Sequence, residues 1–304
     1  MIQTRLLSLG ECNHLLEHGK PVLFNTPAGI ICGQTFGAAA GNRVVFHFHG
    51  QISSRLEALY LERAAAKWGL QLIALDRQGF GNSPPSAFAG LEPWPAAVVA
   101  IANELGIGHF GVMGVSAGAK YALALALAVP ERVTGVKLAS SFGPVDASGG
   151  LRSTAFRVRM AVALYKHAPL VGDAVSGVMG FALRHNVEAL LRVGRHIAPP
   201  TERRMLDDEA VRGIAAQVMR ASVRDGARGV AQEFRILVRP WNLALDQIQV
   251  PVAMWHGEED VIAPMTMAES LASSIPGSRL HRVPNAGHVS LIVNHADEII
   301  ASAS

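Results

Sequence analysis

Phe110-Gly111-Val112-Met113-Gly114-Val115-Ser116-Ala117-Gly118 is the stretch whose reading decides the fold. Its first six residues are apolar on both faces of an extended chain, as a strand buried inside a parallel sheet requires. From Ala117 to Val129 the pattern changes to Ala- and Leu-rich helical spacing. Ser116 therefore stands on the turn between strand and helix, within a Gly-x-Ser-x-Gly sequence. So sharp a turn crowds the backbone, hence the flanking glycines, and projects the serine into a cleft. The helix start also presents free N–H groups and a positive dipole end to a developing oxyanion. A chance serine in an ordinary strand–loop–helix is the competing reading; strand, turn and helix together favour a nucleophile.

Similar runs surround this one. Val44–His49, Leu70–Leu75, Val133–Ser140, Val250–His256 and the more polar Arg279–Val283 read as strands. Helix-like spacing fills Ser53–Trp68, Pro93–Leu105 and Pro264–Ile275. The alternation predicts right-handed βαβ units, and so an α/β fold with a mostly parallel central sheet flanked by helices. Pro21–Phe36 reads as a strand pair adding an antiparallel edge. Between Asp146 and Pro240 no strand is visible, only helical sequence, entered through Pro144, Gly149 and Gly150 and left at Pro240. The expected organisation is a core domain of residues 1–145 and 241–304, with residues 146–240 as an inserted helical cap.

A serine hydroxyl is a weak nucleophile and needs a base, which in turn needs an orienting acid. Gly257-Glu258-Glu259-Asp260 follows one predicted strand, and Ala286-Gly287-His288 follows the last. The order serine, acid, histidine suits this architecture, and each residue falls just beyond a strand's C-terminal end, where open α/β sheets carry their sites. The candidate catalytic set is Ser116, Asp260 and His288. His256 is the rival base, at a strand end beside the acid, and Glu258 and Glu259 are rival acids; loop position favours Asp260.

Composition removes other classes. The chain has 304 residues, half of them hydrophobic and 17% charged, enough for a large core and unlike a disordered or coiled-coil protein. Cys12 and Cys32 are too few for a disulfide framework, although spacing leaves one bridge between them open. No apolar run approaches the roughly 18 residues of a membrane span, and Met1–Gly10 lacks a signal-peptide core. The expectation is a cytoplasmic protein without stable membrane insertion. The net charge of +3 is uneven: residues 151–240 hold 15 Lys+Arg and 8 Asp+Glu, the remainder 12 and 16. A solvated helical face accounts for that basic segment, while steering of anionic substrates or contact with an acidic surface are the alternatives. His47 and His49 lack a third ligand for a metal, no glycine run keeps nucleotide-binding spacing, and no basic–aromatic pattern points to nucleic acid. The sequence is silent on oligomeric state.

These motifs together resemble the α/β-hydrolase-fold family, specifically its capped esterases, lactonases and carbon–carbon bond hydrolases. The matching residues are His49-Gly50, Asp76-Arg77-Gln78-Gly79-Phe80-Gly81-Asn82-Ser83, the Ser116 turn, the Asp260 loop and Gly287-His288, in family order from about residue 43 onward. The resemblance implies backbone N–H groups of Gln51 and Ala117 as an oxyanion hole. Family members usually carry proline at the position of Gln78 and a small residue at that of Lys120. Gln51-Ile52 also departs from the family, and its glutamine side chain is expected to reach toward the pocket. Lys120 reads as a solvated helix residue, or as a contact for a substrate carboxylate. A serine at the turn argues against dehalogenase or epoxide-hydrolase chemistry, which needs an aspartate there. The expected function is hydrolysis of an ester, lactone or related acyl bond of a small-to-medium, partly apolar substrate through an acyl-enzyme, with no cofactor. Acyl transfer, carbon–carbon cleavage by the same triad and a non-enzymatic ligand receptor remain open alternatives, since the cap decides specificity.

Overall fold

The computed structural model describes residues 7–39, 43–87, 90–145, 151 and 153–302. The readings at the extreme N-terminus (residues 1–6) and at the cap entry from Asp146 to Gly150 lie outside them. Eight strands form one sheet: β1 (Val22–Thr26), β2 (Gly29–Gly37), β3 (Arg43–Phe48), β4 (Leu70–Leu75), β5 (Phe110–Val115), β6 (Val133–Ala139), β7 (Val252–Gly257) and β8 (Arg279–Val283), in the order β1-β2-β4-β3-β5-β6-β7-β8. β1 pairs antiparallel with β2, and β2 antiparallel with β4; the other pairings are parallel. The α/β fold with a mostly parallel sheet and an antiparallel edge is as the sequence predicts.

The central strands are mostly apolar because their alternate residues feed two different cores. On one side Phe46, Phe48, Val112, Val136 and Met254 pack with helices α3 (Trp94–Glu104), α4 (Gly118–Ala128) and α10 (Met265–Ser274). On the other, Val45, Leu72, Met113, Val115 and Trp255 meet α2 (Glu62–Lys67) and α11 (Ser290–Ala301). Burial on both faces is what makes these strands read as continuous hydrophobic runs.

One local element differs from the expectation, and a second lies where none was stated. The run Ser53–Trp68 is not one helix but a 3₁₀ turn, Arg55–Tyr60, followed by α2. The break has a tertiary cause: the Arg55 backbone N–H and guanidinium both donate to the buried Asp76 carboxylate, at 2.7 and 2.6 Å. The second is α1 (Leu9–His18), started by a capping box in which Ser8 Oγ accepts from the Glu11 N–H and Glu11 accepts from the Ser8 N–H. Cys12 and Cys32 are both buried and unpaired, and burial pushes each thiol up to about 11.

Between β6 and β7 the described chain is helical: α5 (Phe156–His167), α6 (Pro169–Ile197, kinked at Asn186), α7 (Pro200–Met205), α8 (Glu209–Ser222) and α9 (Arg228–Leu237). α8 packs on the 3₁₀ turn and on α1, while α9 lies on the C-terminal side of the sheet. Gly79 and Gly229 meet backbone to backbone there: a Cβ on Gly229 would stand 2.4 Å from the Gly79 carbonyl oxygen, so only glycine permits the approach. No helix among the described residues is long and apolar enough to cross a membrane.

Candidate active site

Ser116 follows β5 directly with a φ of +52°, a left-handed conformation costly for any residue but glycine. What holds it there is the packing on either side. Its N–H donates to the Ala139 carbonyl on β6 at 2.9 Å, and its carbonyl accepts from Ala119 and Phe142. A Cβ on Gly118 would lie 2.1 Å from the Phe48 carbonyl oxygen, so α4 can approach β3 this closely only through glycine. The strained turn lifts the Ser116 side chain off the sheet.

There it meets His288. Ser116 Oγ lies 3.0 Å from His288 Nε2, and His288 Nδ1 lies 2.7 Å from Asp260 Oδ2. Asp260 is buried, and its other oxygen accepts from the N–H groups of Ile262 and Ala263 at 2.8 and 2.9 Å, which fixes the carboxylate after β7. Burial disfavours the His288 imidazolium, but the Asp260 charge and hydrogen bond, with Glu202 and Glu57 beyond, outweigh it; its pKa ends raised. With Asp260 accepting from Nδ1–H, the free Nε2 lone pair faces Ser116 Oγ, which is the tautomer a base requires.

The three residues singled out in the sequence are thus brought together within hydrogen-bonding reach. The rivals are not. His256 is buried and keeps its Nε2 against the Ala263 carbonyl at 2.6 Å, 3.5 Å from Asp260; burial lowers its pKa and keeps it neutral. Among the described contacts neither Glu258 nor Glu259 has its carboxylate on His288.

Across the site, the loop after β3 carries His49, Gly50 and Gln51. Among the described residues no protein acceptor takes the backbone N–H of Gln51 or of Ala117, and Ala117 opens α4, where helical N–H groups are free. Arg77 braces this loop from behind, donating through Nη1 to the His49 carbonyl at 2.6 Å and through Nη2 to the Gly50 carbonyl at 3.2 Å. The His49 ring is buried and neutral: burial, then the Arg77 charge, lower its pKa, and Nδ1 meets the Gly50 carbonyl at 2.8 Å. The Gln51 side chain reaches α9, its amide donating to the Val230 carbonyl at 3.1 Å.

The sequence reading of Lys120 as solvated is corrected. Lys120 is buried, donates to the Ile236 carbonyl of α9 at 3.1 Å and covers the Trp241 ring. α9 lies over that turn of α4 and buries most of the lysine against it. Gln78, the other departure, holds the Ala28 carbonyl and does not enter the site.

Three carboxylates escaped notice in the sequence. Glu233 of α9 accepts from Arg77 Nε and from the Tyr121 hydroxyl, each at 3.0 Å, deep in the interface. Glu202 of α7 accepts from the Val289 and Ser290 N–H groups and the Ser290 hydroxyl, under the loop that carries His288. Glu57 accepts from the Gly50 N–H and the Ser53 hydroxyl. Glu202 and Glu233 act across 87 and 156 positions of sequence, so no local pattern announces them.

Ser116 itself is only 6% exposed, and its neighbour Ala117 belongs to an apolar cluster with Phe142, Leu237 and Met267, against which Phe234 and Val158 pack. A separate groove of about 1150 Å³, lined by residues including Lys120, Arg228, Trp241 and Leu243, contains none of Ser116, Asp260 or His288. Among the described residues no cluster of three metal-ligating side chains exists.

A model of the alpha/beta hydrolase family matches residues 44–302. Over 75% of this chain and 73% of its own, a 2-hydroxymuconate semialdehyde hydrolase from Pseudomonas putida is 27% identical. A pimeloyl-[acyl-carrier protein] methyl ester esterase from Neisseria meningitidis is 26% identical over 79% of this chain and 84% of its own. The crystal structure of a hydrolase from Pseudomonas aeruginosa superimposes with a TM-score of 0.68 at 17% identity, covering 94% of this chain and all of the other. The match spans every element from β3 to α11, including both loops that flank Ser116: the chain belongs to the alpha/beta hydrolase family.

Proposed function

We propose that the chain is a serine hydrolase acting on an ester, lactone or related acyl bond, with Ser116 as nucleophile, His288 as base and Asp260 as its orienting acid. The observation that carries this reading is the unbroken line Ser116 Oγ–His288 Nε2, 3.0 Å, and His288 Nδ1–Asp260 Oδ2, 2.7 Å, at a serine held in a strained turn. In that line the Ser116 proton passes to His288 Nε2 as Oγ bonds to the substrate carbonyl carbon. The carbonyl π-electrons move onto its oxygen, where the Gln51 and Ala117 N–H groups donate to it. As that intermediate collapses, the bond to the leaving alkoxide breaks and His288 returns the proton to it, leaving an acyl-enzyme. Water then repeats the sequence, with its proton going first to His288 and finally to Ser116 Oγ. Asp260 stays ionised throughout and stabilises the imidazolium.

Residues 146–240 serve in this reading as a cap that bounds the substrate. The apolar cluster that includes Ala117, next to Ser116, favours a partly apolar acyl group. The similarity to a methyl ester esterase and to a semialdehyde hydrolase puts methyl esters and semialdehydes first in a substrate panel, with lactones beside them as acyl bonds of the proposed kind. Turnover of at least one of these by the wild type, lost by about 10⁴–10⁶ in Ser116→Ala with the melting midpoint kept, is the expected result. A loss below about tenfold in that variant would overturn the assignment.

A further inference from the structure

We infer that the outer face of α5 and of the first half of α6 docks on an anionic phospholipid bilayer. In α6 the residues Gly172, Ser176, Gly180, Leu183 and Val187 are buried and form the inward stripe. Opposite them stand Leu170, Val171, Val175, Val178 and Phe181, with Leu170 79%, Val178 72% and Phe181 67% exposed. At about 100° per residue these five fall within an arc of about 140°, along roughly 16 Å of helix. No charged side chain interrupts that arc. α5 repeats the arrangement: Val162 and Tyr165 face inward, while Phe156 and Met160 are exposed at helical spacing. Isolated exposed apolar residues are ordinary; two adjacent helices, each with an apolar stripe turned away from its packed side, mark an interaction surface.

Charge identifies the occupant. Between Phe156 and His185 the cations are Arg157, Arg159, Lys166 and Arg184, and the acid is Asp173 alone, bonded to Arg235 of α9. Arg157, Arg159, Lys166 and Arg184 are all exposed beside the apolar stripes. An apolar face rimmed by Lys and Arg is the pattern of a helix lying in the headgroup region of an anionic membrane. A second copy of this chain fits less well, because a two-fold contact would bring two such basic rims together. The inference does not depend on the proposed reaction.

Flotation of the full chain with vesicles tests it. The wild type is expected to float with phosphatidylcholine vesicles containing about a quarter phosphatidylglycerol and to stay behind with phosphatidylcholine alone. Val178→Asp/Phe181→Asp, and separately Arg157→Glu/Lys166→Glu, should each lower the bound fraction about tenfold or more without moving the melting midpoint. Absence of wild-type flotation with the anionic vesicles would overturn the inference, as would flotation that neither variant reduces. A light-scattering mass of two chains that falls to one in Val178→Asp/Phe181→Asp would assign the face to a second copy and overturn it as well.

Discussion

Ser116 at a φ of +52° and His288 between two polar partners are where sequence and chemistry meet most directly. Both were legible: a glycine-flanked serine after an apolar run, and a histidine after glycine beyond the last strand, leave few other placements. Asp260 was separable from Glu258 and Glu259 only by its loop position, and the structure brings it alone to His288. Glu57 and Glu202 were not legible, because their smaller share in raising the His288 pKa comes from nearness in space that no sequence spacing shows. That pKa has a measurable consequence. A base must be neutral, so kcat/KM should fall on the acid side with a midpoint above the ordinary histidine value of 6.5, since the shift is upward. Asp260→Asn removes the group chiefly responsible for the upward shift, so the midpoint should move down, with activity lower by about 10⁴. A pH–rate profile of both proteins checks the direction. An unmoved midpoint would mean that another group titrates.

At the scale of elements, the strands were readable because β3 to β7 are buried on both faces. The Ser53–Trp68 segment was misread because Asp76, rather than local spacing, sets its turn. α1 was readable in principle from Ser8-x-x-Glu11 but is short and lies before the sheet begins. The contacts of α9 were invisible: Arg77–Glu233, Lys120–Ile236 and Gln51–Val230 all span more than a hundred positions. Because Arg77 also holds the His49 and Gly50 carbonyls, α9 and the loop after β3 are one mechanical unit. Glu233→Ala leaves the Arg77 charge buried without its partner and should cost about 3–5 kcal/mol in denaturant unfolding. The double variant Arg77→Met/Glu233→Ala should lose less than the sum of the two single changes. A second element carries its own pH signature. Lys137, buried on β6, donates to the Ile299, Ile300 and Ser302 carbonyls and so caps α11; burial, then the Arg43 charge, lower it to about 8. Below that pH the lysine is charged in both states. Above it, the folded protein sheds the proton while the unfolded chain keeps it to about 10.5, so the Lys137 contribution to stability rises through that interval. The stability gap between wild type and Lys137→Met should therefore shift in favour of wild type from about pH 7.5 to about pH 10. A constant gap would contradict it.

Across the whole molecule, the mostly parallel sheet and the family were legible in the alternation of strands and helices and in a few loop motifs, while the strand order was not. Nor was the use of the helical segment between β6 and β7. α6 is apolar on both sides, and hydrophobic periodicity alone cannot say which side packs and which is left outward. Its excess of cations read as a solvated face; with its apolar stripe exposed between them, the same charge becomes part of a surface. The family likeness reaches the core elements that build the site and stops short of naming the group that enters it, since one fold hosts many substrates. The central claim, an activated serine at position 116, is tested most directly by intact-mass labelling with a fluorophosphonate. The account predicts one adduct on the wild type, formed much more slowly in Asp260→Asn and absent in Ser116→Ala. An adduct that persists in Ser116→Ala, or a wild type that forms none, would contradict it.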